Sequence, residues 1–279
     1  MTGVPGESMN GQGRTGPLRV VVVFPDLLGT YGDGGNGVVL AQRARWRGID
    51  AELLQAPSDA PVPEGDLYCL GGGEDGPQAQ AADALRRDGT FLGAVERGAV
   101  VLAVCAGFQI VGRSFPDAQG RQLSGLGLLD IETRRGSGPR MVGEVVAEPL
   151  AGLGGPGGSS ALPPLTGFEN HASATHVGPG ARALASVTVG SGNGAGDGSE
   201  GAWNGRVLGT YLHGPVLARN PALADLLLGW ALDGVTLAPI DDGEESSLRA
   251  ERLAAATAAQ SRAGPKAWVQ RCRRLLDGS

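Results

Sequence analysis

From Leu18 to Phe24 the chain reads LRVVVVF, an almost unbroken apolar run. Strands of a parallel sheet, buried on both faces, have this pattern. The loop PDLLGTYGDGGNG follows, and then 38–47 (VVLAQRARWR) has the spacing of a helix, closed by Gly48 in the usual C-cap role. IDAELLQA predicts a second strand. A third, short strand at 66–70 (DLYCL) ends in Gly71-Gly72-Gly73. Helices fit about 78–87 and 91–97, a fourth buried strand fits 99–104 (AVVLAV), and a helix runs from about Ala106 to Gly112. This alternation predicts an α/β fold of the flavodoxin-like kind, with a central, mostly parallel sheet flanked by helices.

The second half has another rhythm. GLGLLDIETRR, RMVGEVVAE, LTGFENHAS, RALASVTVG and EGAWNGRVLGTYLH alternate as antiparallel strands and turns do. Glycine-rich stretches at 151–160 and 190–201 read as mobile surface loops. Asn220-Pro221 has the form of a helix start, an N-cap followed by proline at the first helical position. Leu223, Leu226, Leu227 and Trp230 then fall on one face. Past 235 an acidic linker (DDGEESS) leads to an Ala/Arg-rich helix at 247–262. A last short helix after Gly264-Pro265 carries Trp268 and Leu275. The expected division is a disordered tail at 1–17, one domain at 18–235 and a helical C-terminal extension at 236–279.

Charge and cysteine usage narrow the function. A net charge of −6 lacks the basic footprint of a nucleic-acid binder. The three cysteines, Cys69, Cys105 and Cys272, are an odd number without regular spacing. They form neither a disulfide framework nor a zinc motif, which suggests a reducing, cytoplasmic compartment. No apolar run is long enough to predict a membrane span, and the first residues lack the apolar stretch of a signal peptide. No GxxxxGK[ST] occurs, no GxGxxG opens a helix after a strand, and Gly71-Gly72-Gly73 leads into Glu74-Asp75, which would repel a phosphate. No nucleotide site is expected in this chain.

The candidate chemistry gathers at Cys105. It ends a buried strand and begins a helix in V-L-A-V-C-A-G-F-Q, at the strand end where open α/β sheets bind ligands. The small Ala106 and Gly107 permit the sharp turn of a nucleophile elbow. The helix N-terminus favours a thiolate and offers an N–H to an oxyanion. An isolated cysteine there is ordinarily a small core residue; the setting argues for a nucleophile. Cys69, inside its strand, reads as core. Cys272, among arginines, is open to a structural role or to reactivity. The partner base comes from His171, His176 and His213. His213 ends a strand at Gly214-Pro215 and so projects from the same kind of strand end. His171 and His176 flank a turn and read as supporting residues. YGDGGN reads as a structural loop, with Asn36 capping the helix that follows.

These segments carry a resemblance. LGGGEDGPQ (70–78), AVCAGFQIVG (103–112), LTGFENHASAT (165–175) and GTYLHGP (209–215) resemble the class I glutamine amidotransferases, in the cobyric-acid-synthase-like branch. With PDLLGTYGDGGN (25–36) and RMVGE they are most similar to the GatD family, the glutaminase subunits of lipid II isoglutaminyl synthase. The likeness covers about 18–233. It implies that Cys105 attacks the side-chain amide of L-glutamine and that His213 passes the proton to the leaving ammonia. It places an oxyanion hole at the backbone of Gly72 or Gly73 and Ala106, and Gln109 and Arg140 at the substrate. It implies a heterodimer with a MurT-like, ATP-dependent Mur ligase subunit, ATP and Mg belonging to that partner, and amidation of the D-glutamate α-carboxylate in peptidoglycan synthesis. A corrinoid acceptor, a related cysteine hydrolase and a non-catalytic scaffold are the competing readings. One position departs from the class: the glutamate expected two residues after the histidine is Pro215. Asp33, Glu169 or a carboxylate of the partner could stand in for it, or a dyad could suffice.

Overall fold

A computed structural model describes residues 16–153 and 162–258. The apolar runs form the central sheet, as expected: β1 (Leu18–Val23), β2 (Ala51–Ala56), β3 (Leu67–Leu70) and β4 (Val100–Val104) pair in parallel. Late in the chain, β13 (Ala202–Asn204) and β14 (Val207–Thr210) complete it in the order β13-β14-β4-β3-β1-β2. β3, β4 and β14 are buried along their whole length. Helices α1 (Gly35–Trp46), α2 (Asp75–Arg87), α3 (Gly89–Glu96) and α4 (Ala106–Val111) connect the first four strands and lead out of the fourth.

β14 corrects the expectation of an antiparallel second half. It forms a hairpin with β13 but lies parallel to β4, from Val207 opposite Val101 to Thr210 opposite Val104. A strand buried on both faces belongs in the interior of such a sheet. The remaining strands form two four-stranded sheets beyond the main one. The first is β5 (Ser114–Pro116), β6 (Gln122–Ser124), β7 (Ile131–Arg135) and β10 (Ser173–Val177). The second is β8 (Met141–Pro149), β9 (Leu165–His171), β11 (Ala185–Val189) and β12 (Ser199–Glu200). Two further helices follow, α5 (Val216–Arg219) and α6 (Pro221–Ala231), both packed against α1.

The stretch 190–201 is built into the structure, contrary to the mobile surface loop expected. Glu169 accepts the N–H groups of Ser191 and Gly192, and the buried Asn193 bonds Ser199 and both backbone groups of Gly201. Two buried polar side chains thus satisfy a backbone too poor in side chains to pack by itself. Most of 151–160 lies outside the described residues. Asn36 also differs from expectation. Helix α1 begins earlier, at Gly35, so Asn36 is inside it, and its Oδ1 accepts the Leu217 N–H at 3.0 Å. Asn220 is the N-cap residue of α6, but its side chain bonds Thr166 and Val216 rather than the helix.

Helical residues 243–258 represent the C-terminal extension. Arg43, buried on α1, holds its base: Nε and Nη2 donate to Asp225 on α6 at 2.8 Å each, and Nη1 donates to Asp242 at 2.5 Å. The last short helix, with Trp268, Cys272 and Leu275, lies outside the described residues, as does most of the expected tail. No helix among the described residues is long and apolar enough to cross a membrane.

Candidate active site

Cys105 sits between β4 and α4 with φ 52° and ψ −104°, a backbone conformation that a side-chain-bearing residue adopts only under constraint. The constraint is visible. The Cys105 N–H donates to Thr210 O at 2.9 Å, and the Gly107 N–H donates to Gly71 O at 3.0 Å. A Cβ on Gly107 would lie 2.7 Å from Leu70 Cβ and 2.8 Å from Leu70 O, so only glycine lets the helix start so close to β3. This is the elbow that the small residues after Cys105 suggest. Cys69, one strand over, is buried, and burial pushes its thiol up to about 12, as for a core cysteine.

His213 follows β14 and is held at both its backbone and its ring. Its N–H and C=O bond Phe168 of β9 at 2.9 and 3.1 Å. Its Nδ1 lies 2.8 Å from Asp33 Oδ2, and both side chains are buried. That contact answers the question raised by Pro215: the carboxylate beside the histidine comes from the YGDGGN loop, not from the position after it. Glu169, the other candidate in the chain, is engaged with the loop at 191–192. The Tyr31 ring packs against His213, with centroids 4.7 Å apart. Nε2 of His213 is buried without a formed hydrogen bond, and the imidazole interacts with Cys105. Burial disfavours the charged ring, but the Asp33 bond and the neighbouring Cys105 outweigh it and raise its pKa to about 10. A ring so placed can accept a proton and deliver it.

The other histidines are placed differently. His171 is buried and stacked on Tyr211 at 3.7 Å. Burial, with His213 and Arg140 nearby, lowers its pKa to about 4. His176 is exposed on β10, opposite Glu132 of β7.

Cys105 opens into a cavity of about 130 Å³, also lined by Gly73, Ala106, Gln109, Arg140 and Ser173. The structure therefore gathers most of the expected site residues. His213, buried beside Tyr31, does not line the cavity, and neither does Gly72. The Gly72 N–H donates to Asp33 Oδ2 at 2.9 Å, and so is already occupied. The N–H groups of Gly73 and Ala106 have no hydrogen-bond partner among the described residues. Gly72 has another role, since a Cβ there would lie 2.7 Å from His213 Cε1. Its missing side chain is the room that the imidazole needs.

Gln109 lines the cavity with its carboxamide engaged at both ends. Oε1 accepts from Gln78 at 2.9 Å, and Nε2 donates to Ser173 Oγ at 2.9 Å and Tyr211 Oη at 3.2 Å. Arg140 is exposed at the mouth. Its Nε donates to Asn170 Oδ1 at 2.5 Å and its Nη2 to Asn170 O at 3.0 Å. Tyr31, Gln78, Asn170 and Ser173 are the residues that sequence reasoning passed over. Each falls inside or beside a segment that it singled out, but a side chain's bonding partner leaves no trace in a local pattern. A larger groove of about 610 Å³, lined by residues such as Arg19, Asp66, Arg97 and Arg206, contains neither a thiol nor an imidazole.

Comparison with known proteins agrees with this geometry. A family model of CobB/CobQ-like glutamine amidotransferase domains matches residues 19–221. The chain is 34% identical over 241 residues to the GatD subunit of lipid II isoglutaminyl synthase (glutamine-hydrolyzing) from Staphylococcus aureus, covering 85% of this chain and 94% of that protein. The subunit of the same name from Streptococcus pneumoniae is 30% identical over 218 residues, covering 77% and 80%. Among solved structures, a glutamine amidotransferase from Thermotoga maritima shares the fold, with a TM-score of 0.50 at 15% identity over 86% of this chain and 96% of that one. An elbow cysteine facing a carboxylate-held histidine thus stands in a chain that belongs to the CobB/CobQ-like glutamine amidotransferase family.

Proposed function

We propose that the chain is the glutaminase subunit of a lipid II isoglutaminyl synthase. The observation that carries this reading is the alignment of Asp33, His213 and Cys105 at the carboxyl end of the parallel sheet. His213 takes the thiol proton of Cys105 as the substrate binds. The Cys105 thiolate attacks the side-chain amide carbon of L-glutamine and forms a C–S bond, and the N–H groups of Gly73 and Ala106 receive the oxyanion. His213 gives its proton to the amide nitrogen as the C–N bond breaks, and ammonia leaves. Water then adds to the γ-glutamyl thioester while His213 takes its proton. The C–S bond breaks, glutamate departs and the thiol is restored. Arg140 pairs with the substrate α-carboxylate. Gln109 acts through Ser173, whose hydroxyl proton is left for the cavity because its oxygen already accepts from Gln109.

The ammonia goes to a MurT-like, ATP-dependent Mur ligase subunit, which supplies ATP and Mg and amidates the α-carboxylate of D-glutamate in lipid II. The two chains act as a heterodimer in the cytoplasm. The similarity to the S. aureus subunit, running over 94% of its length, supports this assignment. The test combines the full chain, the Mur-ligase-like partner, ATP, lipid II and L-glutamine, with glutamate release and lipid II amidation as readouts. Cys105→Ala abolishes both, and added ammonium chloride restores amidation alone. Undiminished glutamate release by Cys105→Ala would sink the proposal.

A further inference from the structure

Tyr31 occupies a costly position. It is an aromatic residue with 42% of its surface exposed, and its φ of 67° lies in the left-handed region that favours glycine. The surrounding loop enforces that geometry. The Thr30 N–H donates to Gly72 O at 3.2 Å, Gly32 turns with φ 73°, and Asp33 is bonded to both the Gly72 N–H and His213. Pinned on both sides, Tyr31 sets its ring against the imidazole, tilted by 57° with centroids 4.7 Å apart, and His213 is only 1% exposed. The Tyr31 hydroxyl oxygen accepts the Asn170 Nδ2–H at 2.7 Å. Asn170 in turn holds Arg140 through its side-chain and backbone oxygens.

We infer that Tyr31 is a positioning residue with two separable actions: its ring packs against and orients His213, and its hydroxyl, through Asn170, fixes Arg140 at the mouth of the Cys105 cavity. This rests on the glutaminase reading, in which Arg140 receives the α-carboxylate. The bonds to Asn170 use Nε and Nη2 of Arg140 and leave Nη1 for a ligand. A guanidinium held from behind loses less freedom when it binds a carboxylate, so its anchor acts on substrate affinity. A ring that limits rotation of the imidazole acts on the chemical step, where a small misplacement is expensive.

Two substitutions separate the actions. Tyr31→Phe keeps the ring and removes the acceptor. With partner at saturation, KM for glutamine rises about three- to tenfold, the range that one net hydrogen bond gives, while kcat stays within about twofold. Tyr31→Ala removes both, so KM rises equally and kcat falls by about tenfold or more. Because the two residues lie on one tie, Tyr31→Phe adds little to KM in an Asn170→Ala background. Unchanged melting temperatures accompany these effects, as suits an exposed side chain.

Equal kinetics for Tyr31→Phe and Tyr31→Ala, or additive KM effects with Asn170→Ala, overturn the inference. So does a Tyr31→Ala variant whose defect disappears once partner is in excess, which would make Tyr31 a docking contact. A wild-type complex that hydrolyses no glutamine overturns the glutaminase reading itself, and the inference with it.

Discussion

Replacing Asp33 with asparagine isolates the contribution of its charge. Oδ2 accepts from Gly72 at 2.9 Å and lies 2.8 Å from His213 Nδ1, while Oδ1 is buried without a partner. An amide can place its oxygen where Oδ2 was and keep both contacts, so Asp33→Asn removes the charge with little change of shape. The magnitude follows from His213. Its pKa rises from 6.5 to about 10, which at about 1.4 kcal/mol per unit is about 5 kcal/mol favouring the imidazolium. The Asp33 bond is the first of the groups that raise it, and exchanging a charged acceptor for a neutral one costs about 1.5–3 kcal/mol. The kcat for glutamate release should therefore fall roughly ten- to a hundredfold. The alkaline limb of the pH profile should move to lower pH, because an imidazolium without its anion loses its proton sooner. Stability carries the same signature. A histidine with a raised folded-state pKa contributes stability that is fully present below about pH 6.5 and is lost as pH rises through about 10. Wild-type melting temperature should drop across that window, and the drop should flatten in Asp33→Asn. A variant within twofold of wild-type kcat, with the same alkaline limb, would refute the reasoning and point to a carboxylate from the partner.

Glu200 gives a slope of the same sign at lower pH. It is fully buried, and burial raises its pKa from 4.5 to about 7 against the hydrogen bonds from Thr210 and Tyr211. The folded state therefore keeps the proton longer, and wild-type stability should fall by about 3 kcal/mol as pH rises from about 4.5 to 7. Glu200→Gln should lack this slope when unfolding free energy is measured across that range. Arg43→Met takes from Asp242 its arginine partner and leaves Asp225 with Arg47 alone, and should cost about 1–3 kcal/mol. Chemical denaturation should show the loss, and limited proteolysis should cut faster within 236–258, while KM for glutamine stays unchanged.

The sequence was most readable where one physical demand dominates. A strand buried on both faces must be apolar throughout, so β1 and β4 stand out, and the small residues after Cys105 mark the turn they permit. The third member of the site was not readable in this way. Asp33 meets His213 across 180 positions of sequence, and its loop is as rich in glycine as one with no function. The same blindness explains Gly72. A glycine after a strand suggests a free N–H, but whether that N–H is occupied depends on a carboxylate from another loop. β14 was misread in part: one edge does form an antiparallel hairpin with β13, but the other lies parallel to β4, a pairing that no local pattern shows. In the stretch 190–201 glycine content masked the buried Asn193 that organises it.

The place of β14 in the sheet sets the order in which the enzyme becomes armed during synthesis. A ribosome that has made β1 to β4 has already produced the thiol, yet the edge of β4 beyond it stays open until the strand ending at Thr210 arrives. That strand also supplies the carbonyl that holds the Cys105 N–H, and His213 follows three residues later. Long-range pairing of this kind is the slow part of assembling a sheet. A nascent or truncated chain therefore carries an unarmed cysteine, and reactivity appears only when nearly the whole domain has folded. A pulse of thiol-directed electrophile during translation would see this as late labelling of Cys105.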